Sequence, residues 1–277
     1  MKKCVVAKPG IYSGDDAYIT KSKGDAITHI KDVLQSDPDT EVVMYGGDGS
    51  VYEAVNAIMD SGASDTCKLT VVARGTGNDF VKSFDDNDYH SIDLIKVNDK
   101  YCANMVNIGF DCDAVIATEK INSKKFTGSF SYVIGVVATF FKKFPRRFDI
   151  EMTLDNGTTE EIHGNCLLCL AANGMYCGGG FKAAPAAKLD DQLFDVFIFR
   201  KVSRLALLRL IGTYKKGTHI DSEGNLIKSF QKYAIYRKCS SMTVSGPKNI
   251  CIDGEVLPLE KANISIVPSA INVRVGQ

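Results

Sequence analysis

The chain has 277 residues, and its 33 basic side chains balance its 33 acidic ones, so its formal net charge is zero. A neutral chain has no global field that would draw it to nucleic acid. Its 45% hydrophobic and 24% charged residues are typical of a globular protein, and its length suffices for two domains. No apolar run reaches the ~20 residues that span a bilayer, and no signal peptide is recognisable, so we expect a cytoplasmic protein.

Strand-like and helix-like segments alternate through the first third of the chain. This alternation predicts a parallel sheet with helices on both of its faces. The expected order is a strand at 3–7, a helix at 23–35, a strand at 41–45, a helix at 51–60 and a strand at 69–73.

A glycine-rich segment, Gly-Gly-Asp-Gly-Ser at 46–50, follows the strand at 41–45, and a helical pattern begins at once. Three glycines within four positions allow the backbone to approach a ligand closely, and the start of a helix favours a phosphate. We therefore predict nucleotide binding, with Asp48 acting on a metal or a phosphate. The alternative is a tight turn in which Ser50 caps the helix and Glu53 completes a capping box.

A second loop of this kind, residues 74–80, follows the strand at 69–73. The carboxyl ends of parallel strands share one edge of a sheet, where open α/β sheets bind their ligands. Thr76 and Asn78 can bond phosphate or ribose oxygens. The alternative is an ordinary turn that Asn78 or Asp79 caps.

After about residue 91 the pattern changes to short strand-like segments separated by turn signals. Asn-Asp at 98–99 and Asp-Asn-Gly at 155–157 indicate two hairpins. We expect an antiparallel sandwich that carries one or two helices. Further strands are expected at 166–172, 195–200, 241–245, 250–252 and 264–267.

Nine cysteines are spread without a repeated spacing, which favours a reducing compartment. Cys166 and Cys169 form a CxxC pair within a strand-like segment. Strand alternation predicts that the two point to opposite faces, so we expect buried thiols and no metal there.

Two apolar segments combine with basic residues. Residues 130–141 precede Lys142, Lys143, Arg146 and Arg147, and the predicted helix at 202–216 carries Arg204, Arg209, Lys215 and Lys216. The first segment is either a buried helix with a basic end or a helix near a lipid entrance. The second presents either a solvated face or a surface for anionic headgroups.

Four motifs stand in one order along the chain, and together they are specific. They are Gly-Gly-Asp-Gly-Ser at 46–50, Gly-Thr-Gly-Asn-Asp-Phe at 75–80, Ala-Pro-Ala-Ala-Lys-Leu-Asp-Asp at 184–191 and Asp-Gly-Glu at 253–255. The chain resembles the diacylglycerol kinase catalytic domain family, which includes sphingosine and ceramide kinases and is related to NAD kinases. The resemblance implies a nucleotide-binding α/β domain with a parallel sheet at 1–92, rejoined by 268–277, and a β-rich antiparallel sandwich at 93–267 for lipid and metal.

The resemblance implies an ATP-dependent kinase that phosphorylates a lipid alcohol, most simply diacylglycerol, to give phosphatidic acid. Such an enzyme meets its lipid at the inner face of the membrane as a peripheral protein. An NAD kinase-like enzyme and a regulator that binds a nucleotide or a lipid without catalysis are the alternatives. The sequence leaves open whether the chain forms a homodimer.

The resemblance assigns Glu255 as the base that receives the proton of the lipid hydroxyl, and Gly254 before it permits a sharp turn. A plain hairpin turn at 253–256 is the alternative. Asp48 would supply a carboxylate for the Mg²⁺ that bridges the ATP phosphates. Nucleotide contacts are expected from Thr20, Gly46, Gly47, Asp48, Gly49, Ser50, Val51, Tyr52, Glu53, Gly75, Thr76, Asn78 and Asp79.

The resemblance also implies a structural Mg²⁺ in the loop at 188–193. The assigned groups are the carboxylate of Asp191 and the carbonyls of Lys188 and Leu193, with Asp190 and Asp93 in the surrounding network. A solvated Asp-Asp turn is the alternative.

The chain departs from the family pattern in two regions. Gln192 stands where the family usually has glycine. Near the N-terminus, Lys8 replaces an asparagine, and only a few residues separate Gly14 from Thr20 where the family has a helix and a strand. We therefore expect one βα unit to be shortened, which affects the wall around the adenine and the ribose.

Overall fold

The computed structural model describes residues 1–75, 77–122, 146–200 and 202–276. The predicted apolar segment at 130–141 and Thr76 lie outside these residues. Within them, no helix is long and apolar enough to cross a membrane.

The described residues contain 14 strands that form one continuous hydrogen-bonded sheet. The strands are β1 (Lys2–Ala7), β2 (Ala17–Ile19), β3 (Thr40–Gly46), β4 (Lys68–Ala73), β5 (His90–Val97), β6 (Lys100–Cys102), β7 (Met105–Gly109), β8 (Arg146–Leu154), β9 (Thr159–Ala172), β10 (Phe194–Arg200), β11 (Ala234–Ser245), β12 (Asn249–Ile252), β13 (Glu255–Pro258) and β14 (Lys261–Gly276). The helices are α1 (Asp25–Ser36), α2 (Asp48–Ser61), α3 (Phe110–Asn122), α4 (Arg204–Lys216) and the short α5 (Lys228–Gln231).

The N-terminal strands are parallel and lie in the order β4, β3, β1, β2. Both helical crossovers, β2 to β3 through α1 and β3 to β4 through α2, run in the same direction across the sheet. Right-handed crossovers in one direction place their helices on one face. Ile30 of α1 and Ile58 of α2 accordingly share one buried cluster, so the prediction of helices on both faces is wrong.

The opposite face of the parallel strands carries a smaller cluster. Val5, Val43 and Val72 are buried there, and Tyr12 packs against Tyr45 with ring centroids 4.6 Å apart. Tyr12 belongs to residues 8–16, which connect β1 directly to β2 without a helix. The first βα unit is therefore shortened, as predicted.

The C-terminal strands pair antiparallel and enclose a second core. Hairpins join β5 to β6 and β8 to β9 at the predicted turns. One detail of the prediction is wrong: Cys166 and Cys169 both lie in this core. A register shift opposite Arg200 skips one residue of β9, which changes the alternation between the two thiols.

β14 joins the two parts of the sheet. Its first half pairs antiparallel with β11, and its last residues pair parallel with β4. Between these halves Ser269 adopts a left-handed conformation with a φ of 47°, and its N–H donates to the buried carboxylate of Asp93 at 2.7 Å. A single bent strand thus fixes the parallel strands to the sandwich.

Candidate functional site

Helix α2 begins directly after the first glycine loop. Its N-cap is Gly47, and no side chain caps it, although the N–H groups of Ser50 and Val51 both donate to the Gly47 carbonyl at 2.8 and 3.2 Å. Ser50 therefore lies within the helix, and the alternative of a Ser50 cap is wrong. The main-chain N–H groups in the first turn of α2 point out of the N-terminal end of the helix, and no side chain caps them.

Glu53 does not complete a capping box. Its carboxylate instead accepts a hydrogen bond from the Gly24 N–H at 2.9 Å, just before α1. Thr20 is buried nearby, and its N–H donates to the Ala7 carbonyl at 2.9 Å. The first contact holds the segment before α1 against α2, and the second holds it against β1.

The two glycine loops touch each other. A Cβ on Gly75 would lie 3.2 Å from the Gly47 Cα and 2.8 Å from the Asn78 Oδ1, so a side chain at Gly75 has no room. A Cβ on Gly46 would collide with the Ser50 hydroxyl. Of the described residues, Ser50 and Asn78 each bury a side-chain oxygen that has no hydrogen-bond partner. A narrow backbone cradle, the unpaired Ser50 hydroxyl and an uncapped helix start together fit a bound phosphate chain, whereas the Asn78 amide oxygen can only accept a hydrogen bond.

Asp48 links the two loops. Its carboxylate accepts the N–H of Phe80 at 3.0 Å and the N–H of Asp79 at 3.1 Å. Burial raises the pKa of Asp48, whereas these two hydrogen bonds lower it. Asp48 thus positions the second loop in addition to facing the cradle.

Lys82 and Gly179, which were not among the predicted site residues, both contact Asp79. The Lys82 ammonium donates to the Asp79 carboxylate at 2.7 Å and to the Gly77 carbonyl at 2.9 Å. The other Asp79 oxygen accepts the Gly179 N–H at 2.7 Å. The three-residue spacing of Asp79 and Lys82 was a readable signal, whereas the contact with Gly179 depends on the tertiary fold.

Glu255 reaches the start of α2 from the sandwich. Asp253 and Gly254, with φ of 47° and 91°, form the two-residue turn between β12 and β13, so the hairpin alternative describes the backbone correctly. The Glu255 Oε1 nevertheless lies 3.4 Å from the position of a Cβ on Gly49. Its other oxygen forms an ion pair with Lys23. The structure thus brings Glu255 beside the residue that follows Asp48.

Asp253, which was not among the predicted site residues, fixes this hairpin. Its buried carboxylate accepts the main-chain N–H groups of Ala103, Asn104 and Met105 at 2.7 to 3.0 Å and the Cys102 thiol at 3.1 Å. Burial raises the pKa of Asp253, and these hydrogen bonds lower it. Glu255, two residues after Asp253, therefore projects from a rigid turn.

Two further predicted residues, Val51 and Tyr52, are buried on α2. Val51 packs in the core of the parallel part and Tyr52 in the core of the sandwich, so α2 contacts both. Burial and the nearby Glu255 carboxylate raise the pKa of Tyr52 to about 12. Among the predicted nucleotide contacts, Thr76 is the residue outside the described chain.

At the loop of residues 188–193, the ammonium group of Lys238 contacts the Asp191 carboxylate, which was predicted to bind a metal ion. Lys238 Nζ lies 2.6 Å from the Asp191 Oδ2 and 3.2 Å from Asp195. Burial alone would lower the pKa of Lys238, but the two carboxylates raise it. Burial raises the pKa of Asp195 to about 7, and Asp191 is the carboxylate at the shorter distance from Lys238.

The other acidic residues of this loop do not supply a cation site. Asp93 accepts the N–H groups of Gln192 at 2.6 Å and of Ser269, while Asp190 is exposed. Gln192 keeps the left-handed conformation, with a φ of 62°, that favours glycine. Across the described ranges, no group of three or more acidic, histidine or cysteine side chains could hold a metal ion. The predicted Mg²⁺ needs one carboxylate and two main-chain carbonyls, and Lys238 already pairs with that carboxylate, so this Mg²⁺ stays a prediction that Lys238 disfavours.

The fold defines a class of two-part proteins in which a parallel sheet with a glycine cradle continues into an antiparallel sandwich. Residues 14–106 match the diacylglycerol kinase catalytic domain, and residues 104–275 match the YegS C-terminal NAD kinase beta sandwich-like domain. The chain belongs to this diacylglycerol kinase and YegS family.

Individual relatives agree with the family match. The chain is 28% identical over 271 residues to "Probable lipid kinase YegS-like" of Enterobacter sp. (strain 638), covering 92% of this chain and 84% of that protein. It is 27% identical over 270 residues to a protein of the same description from Shewanella frigidimarina, covering 92% and 82%. A crystal structure of a diacylglycerol kinase from Bacillus anthracis str. Sterne superimposes with a TM-score of 0.71 and 20% identity, covering 99% of this chain and 97% of that one. At this identity the superposition shows the shared fold.

Proposed function

We propose that the protein transfers the γ-phosphoryl group of ATP to the hydroxyl of a lipid alcohol, most simply diacylglycerol. The observation that carries this proposal is the position of Glu255, whose carboxylate lies against Gly49 at the uncapped start of α2. The proposed proton acceptor therefore lies beside the proposed phosphate cradle. The family match supports a kinase, and the descriptions of the relatives support a lipid as the acceptor.

The cradle would bind the phosphates of ATP through the main-chain N–H groups at the start of α2, the Ser50 hydroxyl and the second N–H of the Asn78 amide. Glu255 would accept the proton of the lipid hydroxyl. The hydroxyl oxygen forms a bond to the γ-phosphorus while the bond from this phosphorus to the bridging oxygen of ADP breaks. The products are ADP and a lipid phosphate monoester.

Asp48 suits a role beside a hydrated Mg²⁺ on ATP. Each of its oxygens accepts one main-chain N–H, so each keeps a lone pair that can accept a hydrogen bond from a metal-bound water. Mg²⁺ retains several waters in such sites and neutralises the phosphate charge.

The proposal is tested with γ-labelled ATP, Mg²⁺ and mixed micelles that contain diacylglycerol, monoacylglycerol, a sphingoid base or ceramide. We expect label in phosphatidic acid. Absence of labelled lipid with all four acceptors would refute the proposal. Formation of NADP from NAD would identify an NAD kinase-like enzyme, and ATP binding without any turnover would identify a regulator.

Glu255→Gln tests the assigned base. Glutamine keeps the shape but cannot take the proton, so we expect kcat to fall by at least about a hundredfold. Glu260→Gln is the matched control, because Glu260 is exposed just beyond β13. Wild-type turnover in Glu255→Gln would remove Glu255 from the mechanism.

A further inference from the structure

Helix α4 presents two leucines to solvent. Leu205 and Leu208 have exposed fractions of 60% and 58%, the highest of any leucine, isoleucine or phenylalanine in the described residues. Leu210 of the same helix is buried, and Leu207 packs against the same cluster under the helix. The exposed leucines therefore do not belong to the core contact of α4.

Basic residues flank the two leucines. Arg209 follows Leu205 by one helical turn and Leu208 follows Arg204 by one turn, while the exposed Lys215 and Lys216 lie in the last turn of the helix. The helix contains four basic residues and no acidic one, although the formal charge of the chain is zero. An apolar stripe between positive charges is the pattern of a helix that lies in the plane of a membrane interface.

The helix cannot turn this face inward. The Ser203 hydroxyl caps its start by accepting the Ala206 N–H at 3.2 Å, and Gly217 ends it in a left-handed conformation. Near its C-terminus, the Lys215 carbonyl accepts the Lys182 N–H at 3.0 Å. Both ends are thus fixed, and the orientation of the leucines is set by the fold.

One loop connects α4 to the candidate site. Gly179 donates its N–H to Asp79 in the site at 2.7 Å, and Lys182, three residues later, bonds to Lys215 at 3.0 Å. Three residues span at most about 11 Å, so the end of α4 lies within about 17 Å of the Asp79 carboxylate. A membrane bound at α4 would be close to the site.

We propose that the outer face of α4 docks on an anionic lipid bilayer. Leu205 and Leu208 enter the boundary between headgroups and acyl chains, while Arg209 and Lys216 bind the negative headgroups. Charge complementarity selects this partner, because the helix that exposes the two leucines carries four positive charges and no negative one. Binding of α4 to the bilayer does not require catalysis. Only the purpose of this binding, the delivery of a lipid to the site, rests on the proposed function.

The test is co-sedimentation of the full chain with vesicles, without ATP. We expect the wild type to bind vesicles that contain phosphatidylglycerol more tightly than vesicles of pure phosphatidylcholine, and added salt to weaken the binding. Leu205→Gln with Leu208→Gln should reduce binding to the anionic vesicles at least about tenfold. Arg209→Gln with Lys216→Gln should remove the preference for anionic vesicles.

Lys248→Gln with Lys261→Gln is the matched control, since it removes two exposed positive charges elsewhere on the sandwich. This control should bind the vesicles like the wild type. Equal binding by the leucine variant, or no binding by the wild type, would overturn the proposal. Conversion of a dimer to a monomer in the leucine variant, seen by analytical ultracentrifugation, would overturn it in favour of a contact between copies.

Activity on a water-soluble, short-chain diacylglycerol separates this proposal from the proposed function. The leucine and basic variants should phosphorylate that substrate at the wild-type rate, because their side chains lie outside the candidate site. If the wild type has no lipid kinase activity but binds anionic vesicles through α4, the proposed function fails and the docking surface stands.

Discussion

Lys23 and Glu255 form an ion pair that crosses from the parallel part of the molecule to the sandwich. The Lys23 side chain is 70% exposed and that of Glu255 is 17% exposed, so water screens the pair. Such a pair contributes at most about 1 kcal/mol to stability. Its main consequence is positional, because it holds the Glu255 carboxylate over the start of α2.

Asp48→Asn tests whether Asp48 both joins the loops and serves catalysis. Asparagine has one acceptor oxygen where aspartate has two. Either the Asp79 N–H or the Phe80 N–H would therefore face the NH₂ group of the asparagine, which is a donor. We expect the unfolding free energy to fall by about 1–3 kcal/mol and kcat to fall at least about a hundredfold. Thermal unfolding and steady-state turnover measure the two effects.

The matched control for this change is Asp65→Asn, because Asp65 is exposed in the loop after α2. It should leave both quantities unchanged. An Asp48→Asn protein with reduced stability but wild-type kcat would show that Asp48 is purely structural.

Gly75→Ala tests the cradle between the two loops. The added methyl would lie within van der Waals radii of Gly47 and Asn78, so the loops must separate. We expect the affinity for ATP to fall at least about tenfold, measured by calorimetric titration. Gly212→Ala is the control, because a Cβ there meets no atom within 4 Å and alanine favours the helix. Unchanged ATP affinity in Gly75→Ala would place the nucleotide elsewhere.

The sequence predicted both glycine loops and most strands because their signals are local, but it did not predict the short strands β2 and β13. Hydrophobic runs, hairpin dipeptides and the break after β3 all lie within a few residues of the element they specify. The helix faces were predicted wrongly because they depend on strand order, which no local pattern gives. The roles of Asp253 and Lys238 were missed for a related reason: their partners, at 102–105 and at 191 and 195, are distant in the sequence. In its local sequence, Asp253 is typical of a turn residue and Lys238 is typical of a lysine on a strand.

Removal of metal tests the loop at 188–193. Because Lys238 neutralises Asp191, we expect the melting temperature of the wild type without nucleotide to be the same in EDTA and in excess Mg²⁺. Lys238→Met should lower the melting temperature, since it leaves a half-buried carboxylate without its cation. A wild-type protein that EDTA destabilises would restore the structural Mg²⁺ to this loop.

The pH dependence of stability tests the buried His219. Its ring is enclosed by Phe197, Tyr214 and Phe230, and burial lowers its pKa from 6.5 to about 4. The unfolded chain therefore binds a proton between these values while the folded protein does not. Stability from this group is complete above pH 6.5 and falls as the pH decreases, by about 3 kcal/mol at pH 4.

His219→Phe isolates this contribution. Phenylalanine leaves the Ala183 carbonyl without its 3.1 Å partner, which adds a cost that does not vary with pH. Asp195, whose raised pKa acts in the opposite direction, is present in both proteins and cancels from the difference. Urea unfolding at intervals from pH 7 to pH 4 should show the wild type losing stability relative to the variant as the pH falls. A difference that stays constant over this range would mean that His219 is protonated, or reaches water, in the folded protein.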